Sequence, residues 1–286
     1  MNWTLFCDYF SDNYSGLLKG DCMNLSPLFG LFLAISTVLA TIFMSTKTPL
    51  VFLDSHAAVI VIGGTTAAAL LSFSGKSMLV MLKVFFGRVL KGTLNRYEEV
   101  INEIVELSRG YRDNPNYLIE NVEQIKTPFL KEAIELTNAG GLSPKDIDVV
   151  LMKRAHTHYK RYEEDSHMFA TLAKFPPAFG LLGAVIGMIT LMQGLGGADA
   201  IKTVGPAMAV ALVATMYGIA IANFIFIPLG ENLAKYNKAD KIIRQMVIDG
   251  VKLIRAKKHP LVVEENIKSY LIASERQAIE HNKDAA

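Results

Sequence analysis

Two long uncharged runs, separated by a short glycine-rich turn, fill residues 175–228, FPPAFGLLGAVIGMITLMQGLGGADAIKTVGPAMAVALVATMYGIAIANFIFIP. Residues 175–193 contain no charge in 19 positions, and residues 204–227 none in 24. At ~1.5 Å per helical residue they reach roughly 28 and 36 Å, against a hydrocarbon core of about 30 Å. The stretch therefore reads as a transmembrane hairpin, and neither run carries an acidic side chain.

Charge placement sets the orientation. Of the 29 lysines and arginines, 14 fall in residues 75–168 and 11 in residues 230–286, leaving Lys19, Lys47, Lys174 and Lys202. By the positive-inside rule both charged segments, and both termini, face the cytoplasm. The chain is 51% hydrophobic, above the usual share for a soluble protein, and its net charge of +2 gives no general affinity for nucleic acid. Cys7 and Cys22 make no disulfide framework and are expected as reduced thiols. Residues 1–24 lack a signal-peptide pattern and read as a mobile tail, with translation starting at Met1 or Met23.

The expected fold is all-α, an integral membrane protein with four transmembrane helices and a helical cytoplasmic domain between the second and third spans. Its parts are an extension at 1–24, two spans with an outer interfacial segment at 25–74, a cytoplasmic domain at 75–168, the hairpin at 169–229 and cytoplasmic helices at 230–286. The first apolar run, 25–44, just spans. Residues 50–53 lie at the outer interface, and residues 57–73 return, with Gly63 and Gly64 allowing close helix contact. His56 reads as an interfacial residue.

Within the insertion, residues 97–107 place Val100, Ile101, Ile104, Val105 and Leu107 on one face, which predicts an amphipathic helix. Residues 117–125 and 129–137 predict two more, the last ended by Gly140 and Gly141. Ser143, Pro144 and Asp146 form a start signal for a helix running from 144 into the membrane. Residues 230–256 continue the fourth span until His259 and Pro260 break it. A last amphipathic helix is expected over 261–281, with Leu261, Ile267 and Leu271 inward.

Little here suggests catalysis. His156 and His158 are two apart, about 200° around a helix, so they cannot share one metal ion. No phosphate loop, nucleophile elbow or zinc-protease motif occurs. The reading is a non-enzyme with no cofactor and no metal site. The run at 160–165 reads as a solvated helix face.

The hairpin carries small residues four apart: Gly183 and Gly187, Ala207 and Ala211, and Ala214, Gly218 and Ala222. That spacing lets backbones approach, and we read it as an assembly surface between chains, with packing inside one chain as the other reading. The polar groups in the hairpin are Thr190, Thr215, Tyr217, Asn223 and the backbone freed by Pro176 and Pro177. A transmembrane ion path ordinarily needs an ionisable group near its centre. Neither run has one, so a conducting complex would take its carboxylate from another polypeptide.

The segments PPAFGLLGAVIGMI, opened by a proline, and GPAMAVALVATMYGIAIANFIFIPL, with Thr215, Tyr217, Gly218 and Pro228, resemble the third- and fourth-span motifs of the MotA/TolQ/ExbB superfamily, in its MotA/PomA branch of flagellar motor stator subunits. The layout of spans and insertion agrees over about residues 25–260. The resemblance implies a homopentamer around two copies of a MotB-type single-span, peptidoglycan-binding partner that brings an essential aspartate. It also implies a FliG-type rotor protein as the target of torque, in the bacterial inner membrane. By motif position Pro177, Ala184 and Thr215, with Tyr217 beside them, line the ion path, and Pro228 couples it to the cytoplasm. Arg109, Arg112, Glu120 and Glu123 are the candidate rotor contacts, in a loop whose length departs from the family's. Ala184 stands where sodium-type members usually carry threonine, which implies proton drive. The alternatives are an energiser subunit of the ExbB/TolQ type, usually three-spanned, and a non-conducting membrane scaffold.

Overall fold

The structure, a computed structural model, describes residues 25–75, 97–195 and 200–284. The N-terminal tail with its cysteines and Met23, residues 76–96 of the insertion and the centre of the hairpin turn lie outside the described residues. All regular structure among the described residues is helical. Helix α1 covers Leu25–Ser45. A short 3-10 turn, Pro49–Phe52, leads to α2 (Ser55–Ala58), a π-helical stretch (Val59–Gly63) and α3 (Gly64–Ser72). Next come α4 (Tyr97–Asp113), α5 (Tyr117–Glu120), a 3-10 turn at Val122–Gln124, α6 (Pro128–Asn138) and α7 (Pro144–Leu172). The hairpin is α8 (Phe175–Gly194) and α9 (Ala200–Ile221). A π-helical stretch (Ala222–Phe226) joins α9 to α10 (Ile227–Arg255), and α11 (Pro260–Lys268) and α12 (Ala273–Asp284) close the chain. Among the described residues three helical stretches are long and apolar enough to cross a membrane: Pro49–Ser72, Pro144–Gly194 and Val204–Arg255. Phe29–Ser45 is a shorter apolar helix.

The chain divides into two units. The apolar unit takes its described residues from 25–75, 164–195 and 200–234, and the charged unit from 97–163 and 235–284. In the charged unit the periodicity expected over 97–107 continues through Gly110 to Asp113, and all five apolar positions named there are buried. They join Leu130, Ile134, Leu151, Met246, Val251, Ile254, Val263 and Ile267 in one core. Local chemistry places the ends. The Glu103 carboxylate accepts from the amides of Lys126 (2.9 Å) and Thr127 (3.2 Å), just ahead of α6. Gly140 and Gly141 have φ of +70° and +81°, a region that suits residues without a Cβ. Ser143 Oγ accepts from the Asp146 amide at 3.2 Å, capping α7. Arg255 donates to the Pro144 carbonyl (2.9 Å) and pairs with Asp148.

Four expectations need correction. The helix expected over 117–125 is broken: α5 ends at Glu120 and the chain turns through a 3-10 segment. The helix from 144 stops at Leu172 and restarts at Phe175, because Pro176 and Pro177 fit the first turn of a new helix but not the interior of an old one. The last helix is two, α11 and α12. Leu261 is 62% exposed, whereas Ile267 and Leu271 are buried. The small-residue face of the hairpin is covered within this chain, as described next.

Candidate functional site

Helices α8 and α9 meet at backbone distance. A Cβ on Gly180 would lie 2.9 Å from the Ala214 carbonyl oxygen. On Gly187 it would lie 2.8 Å from the Ala211 Cβ and 3.0 Å from the Ala207 oxygen. On Gly183 it would meet the Ala214 Cβ at 2.6 Å, and on Gly218 the Pro176 oxygen at 2.4 Å. The spacing read from the sequence as an assembly surface thus joins the two arms of one hairpin. Such contacts replace side-chain bulk with backbone van der Waals contact, the mode that works where lipid removes the hydrophobic drive.

Thr215 sits in this seam. Its hydroxyl donates to the Ala211 carbonyl at 3.1 Å and reaches the Gly180 carbonyl at 3.4 Å. Pro177, half-buried, lies one turn from Gly180, and its Cα lies 3.1 Å from where a Cβ on Gly218 would be. Pro177 and Thr215 therefore occupy neighbouring turns of facing helices. Ala184, half-buried, follows one turn after Gly180. Tyr217 leaves this seam: two residues on from Thr215, its hydroxyl donates to the Phe52 carbonyl in the 3-10 turn. Thr190 and Asn223 are exposed and bond back to Ile186 (3.0 Å) and Ile219 (2.9 Å) of their own helices.

Pro228 is exposed, at the second position of α10. It has no N–H, and its ring crowds the carbonyl of Phe224, so the turn before it widens into the π-helical stretch Ala222–Phe226. The proline was the signal for this feature, though the sequence reading placed no π turn there.

Two further residues escaped that reading. Phe179 lies flat against Gly64, where a Cβ would come within 2.3 Å of the ring. Thr65 is 8% exposed and its hydroxyl has no hydrogen-bond partner among the described residues, whereas Thr66 next to it bonds back to Ile62 at 2.7 Å. An unpaired buried hydroxyl costs about 1–3 kcal/mol. The Gly63-Gly64-Thr65-Thr66 cluster was visible in the sequence, but which threonine faces inward was not.

In the charged unit Arg109 and Arg112 are exposed on the last turn of α4, where they line a groove of about 470 Å³ with Asp113, His259, Pro260, Leu261 and Glu264. Glu120 is exposed at the end of α5. Glu123 pairs with Lys131 at 2.7 Å and, chiefly through that hydrogen bond, raises the lysine above its ordinary value. His158 lies 3.2 Å from Asp240. His156 is exposed on the same helix, and no cluster with metal-binding spacing occurs among the described residues.

Comparison with known proteins gives the family and the fold. Motility protein A of Borreliella burgdorferi is 29% identical over 263 residues, covering 90% of this chain and 97% of that protein. Chemotaxis protein PomA of Vibrio alginolyticus is 27% identical over 257 residues, covering 89% and 98%. The flagellar MotAB stator complex of Bacillus subtilis contains a chain of the same fold (TM-score 0.76, 24% identity, 88% of this chain and 97% of that one), and so does C. jejuni MotAB (0.76, 23%, 88% and 97%). The model of the MotA/TolQ/ExbB proton channel family matches residues 121–268, just over half the chain and including the whole α8–α9 seam. This chain belongs to the MotA/TolQ/ExbB proton channel family.

Proposed function

We propose that the chain is a stator subunit of the bacterial flagellar motor, which with a MotB-type partner forms a proton channel and converts ion flow into torque. The observation that carries this is the hairpin: α8 and α9 in backbone contact, the Thr215 hydroxyl and Pro177 on neighbouring turns, and no charge in either apolar run. Such a wall positions an ion path and leaves its ionisable group to be supplied from outside. Pro177, Ala184 and Thr215 face that path, Tyr217 pins α9 to the outer segment, and Pro228, through the widened turn before it, couples the path to the cytoplasm. Arg109, Arg112, Glu120 and Glu123 present charge to a FliG-type rotor protein. Four spans, with the charged unit and both termini cytoplasmic, follow from the lysine and arginine bias, and the arrangement is five copies around two partner helices in the inner membrane.

The deciding experiment co-expresses the chain with a neighbouring single-span protein that carries an aspartate in its span. Proton leak should appear only with both present and disappear when that aspartate becomes asparagine. Leak from this chain alone would sink the proposal, and an unconditional absence of leak would favour a scaffold. Ion choice is tested by motor speed, which should follow external pH and not sodium at fixed pH. Charge reversal at Arg109 or Glu120 that leaves swimming intact would remove that residue from the rotor surface.

A further inference from the structure

Outside the hairpin, the charged unit holds a second concave site. A groove of about 500 Å³ is lined by Lys153, Arg154, Thr157, His158 and Arg161 on one face of α7, with Val150 and Glu132 at its edge and Arg244 from α10. Residues 150, 153, 154, 157, 158 and 161 recur at helical spacing, so these groups project from a single rigid face. Arg154 is held by Glu132 at 2.6 Å. Arg244 is held by Asp240 at 2.6 Å, and its guanidinium carbon lies 4.6 Å from the centre of the Phe129 ring. Each of those arginines has one carboxylate. Lys153 and Arg161 make no ion pair among the described residues, which leaves two cations uncompensated beside two oriented guanidiniums.

We propose that this groove binds the phosphate of a small phosphate-bearing ligand. Guanidinium forks match phosphate oxygens in pairs, a lysine adds a point charge, and the Thr157 hydroxyl supplies a further donor. Holding Arg154 and Arg244 in place beforehand lowers the ordering cost of binding. The volume lies within the range of small-molecule sites, about 300–1,000 Å³, and Val150 with the aliphatic stems of the cations gives an apolar floor for the rest of the ligand. The site shares no residue with the hairpin or the candidate rotor contacts, so it stands independently of the proposed motor role.

The test is calorimetric titration of the full-length chain in an uncharged detergent with tripolyphosphate, with ATP and with a water-soluble short-chain phosphatidylglycerol. Wild type should bind at least one of them. The double variant Lys153→Gln, Arg161→Gln should bind at least about ten-fold more weakly, a loss expected when two charge-assisted contacts go. Lys145→Gln, on the first turn of the same helix but outside the groove, should change nothing. Binding of tripolyphosphate or ATP assigns a soluble ligand, and binding of the lipid alone assigns a membrane headgroup. The inference is overturned if no probe binds, if the double variant binds as tightly as wild type, or if polyglutamate binds while all three phosphates fail.

Discussion

At the α8–α9 contact the touching residues are small, Gly180, Gly183, Gly187, Ala211, Ala214 and Gly218, whereas the core of the charged unit is built of Ile101, Ile104, Leu130, Ile134 and Met246. Many of the apolar unit's large side chains turn the other way, although Val61, Phe169, Leu172, Leu191, Val213 and Leu233 are buried. Leu71 is 90% exposed, Leu212 67% and Leu181 64%. Both units are helical, so the difference fits the two solvents proposed for them, lipid around the apolar unit and water around the charged one. Where water surrounds the bundle, burying isoleucine stabilises it. Where lipid does, a leucine gains little by turning inward, and close backbone approach supplies the contact energy. Polar groups follow the same split. The charged unit has paired ions such as Arg255 with Asp148, while the hairpin's half-buried polar contacts are neutral hydroxyls, of Thr215 and Tyr217, on carbonyls.

One substitution made in both units separates the two modes of packing most directly. Leu130→Ala should cost about 2–5 kcal/mol, through lost burial and the cavity left behind. Leu212→Ala should leave the fold of the isolated chain nearly unchanged. Denaturant unfolding of both variants measures this, and equal losses would show that the two units pack alike. Next in size is Gly218→Ala. Its methyl would overlap the Pro176 carbonyl oxygen, a backbone atom that cannot swing aside, at an expected cost of about 1–3 kcal/mol and with loss of swimming. A stable, motile variant would mean the helices are not in backbone contact there.

Thr215→Val removes a hydroxyl of nearly the same volume and about 1 kcal/mol of hydrogen bonding. Swimming should be lost at normal expression and restored by Thr215→Ser. Motile valine cells would take the hydroxyl out of the ion path. The smallest effect belongs to the charged unit. Burial, and then the hydrogen bond to Asp249, push the Tyr270 phenol up from 10.0 to about 12. The folded state thus favours the protonated phenol. Its stabilising contribution is complete below pH 10 and is lost as pH rises toward 12. An alkaline titration of helical signal should be shallower in Tyr270→Phe over that window, and superimposable curves would refute the coupling.

Much of this was legible in the sequence for identifiable reasons. The apolar runs gave the hairpin because an uncharged stretch of that length has few other uses. The period at 97–107 gave α4, and its inward residues are all buried because water forces one face in. The turn at Gly140 and Gly141 was legible because positive φ narrows the choice of residue. Pro177 and Thr215 could be singled out in the sequence as a proline and a hydroxyl inside apolar runs, but that they pack on neighbouring turns of facing helices could not. Leu261 looked like a core residue and is exposed, since it lies six residues, about 240° around α11 at ~3.6 residues per turn, from the buried Ile267.

By itself the sequence determined that this chain is helical, divides into an apolar and a charged part, and has no charge in either run of its hairpin. These are properties of composition and period, which local chemistry decides. Tertiary structure alone decided what the small residues touch, that Thr215 and Pro177 share a seam while Tyr217 turns to Phe52, and that cations spread from 153 to 244 converge on one groove. Helical period says which residues share a face. Which face meets which depends on contacts between residues far apart in the chain, and no local pattern records those.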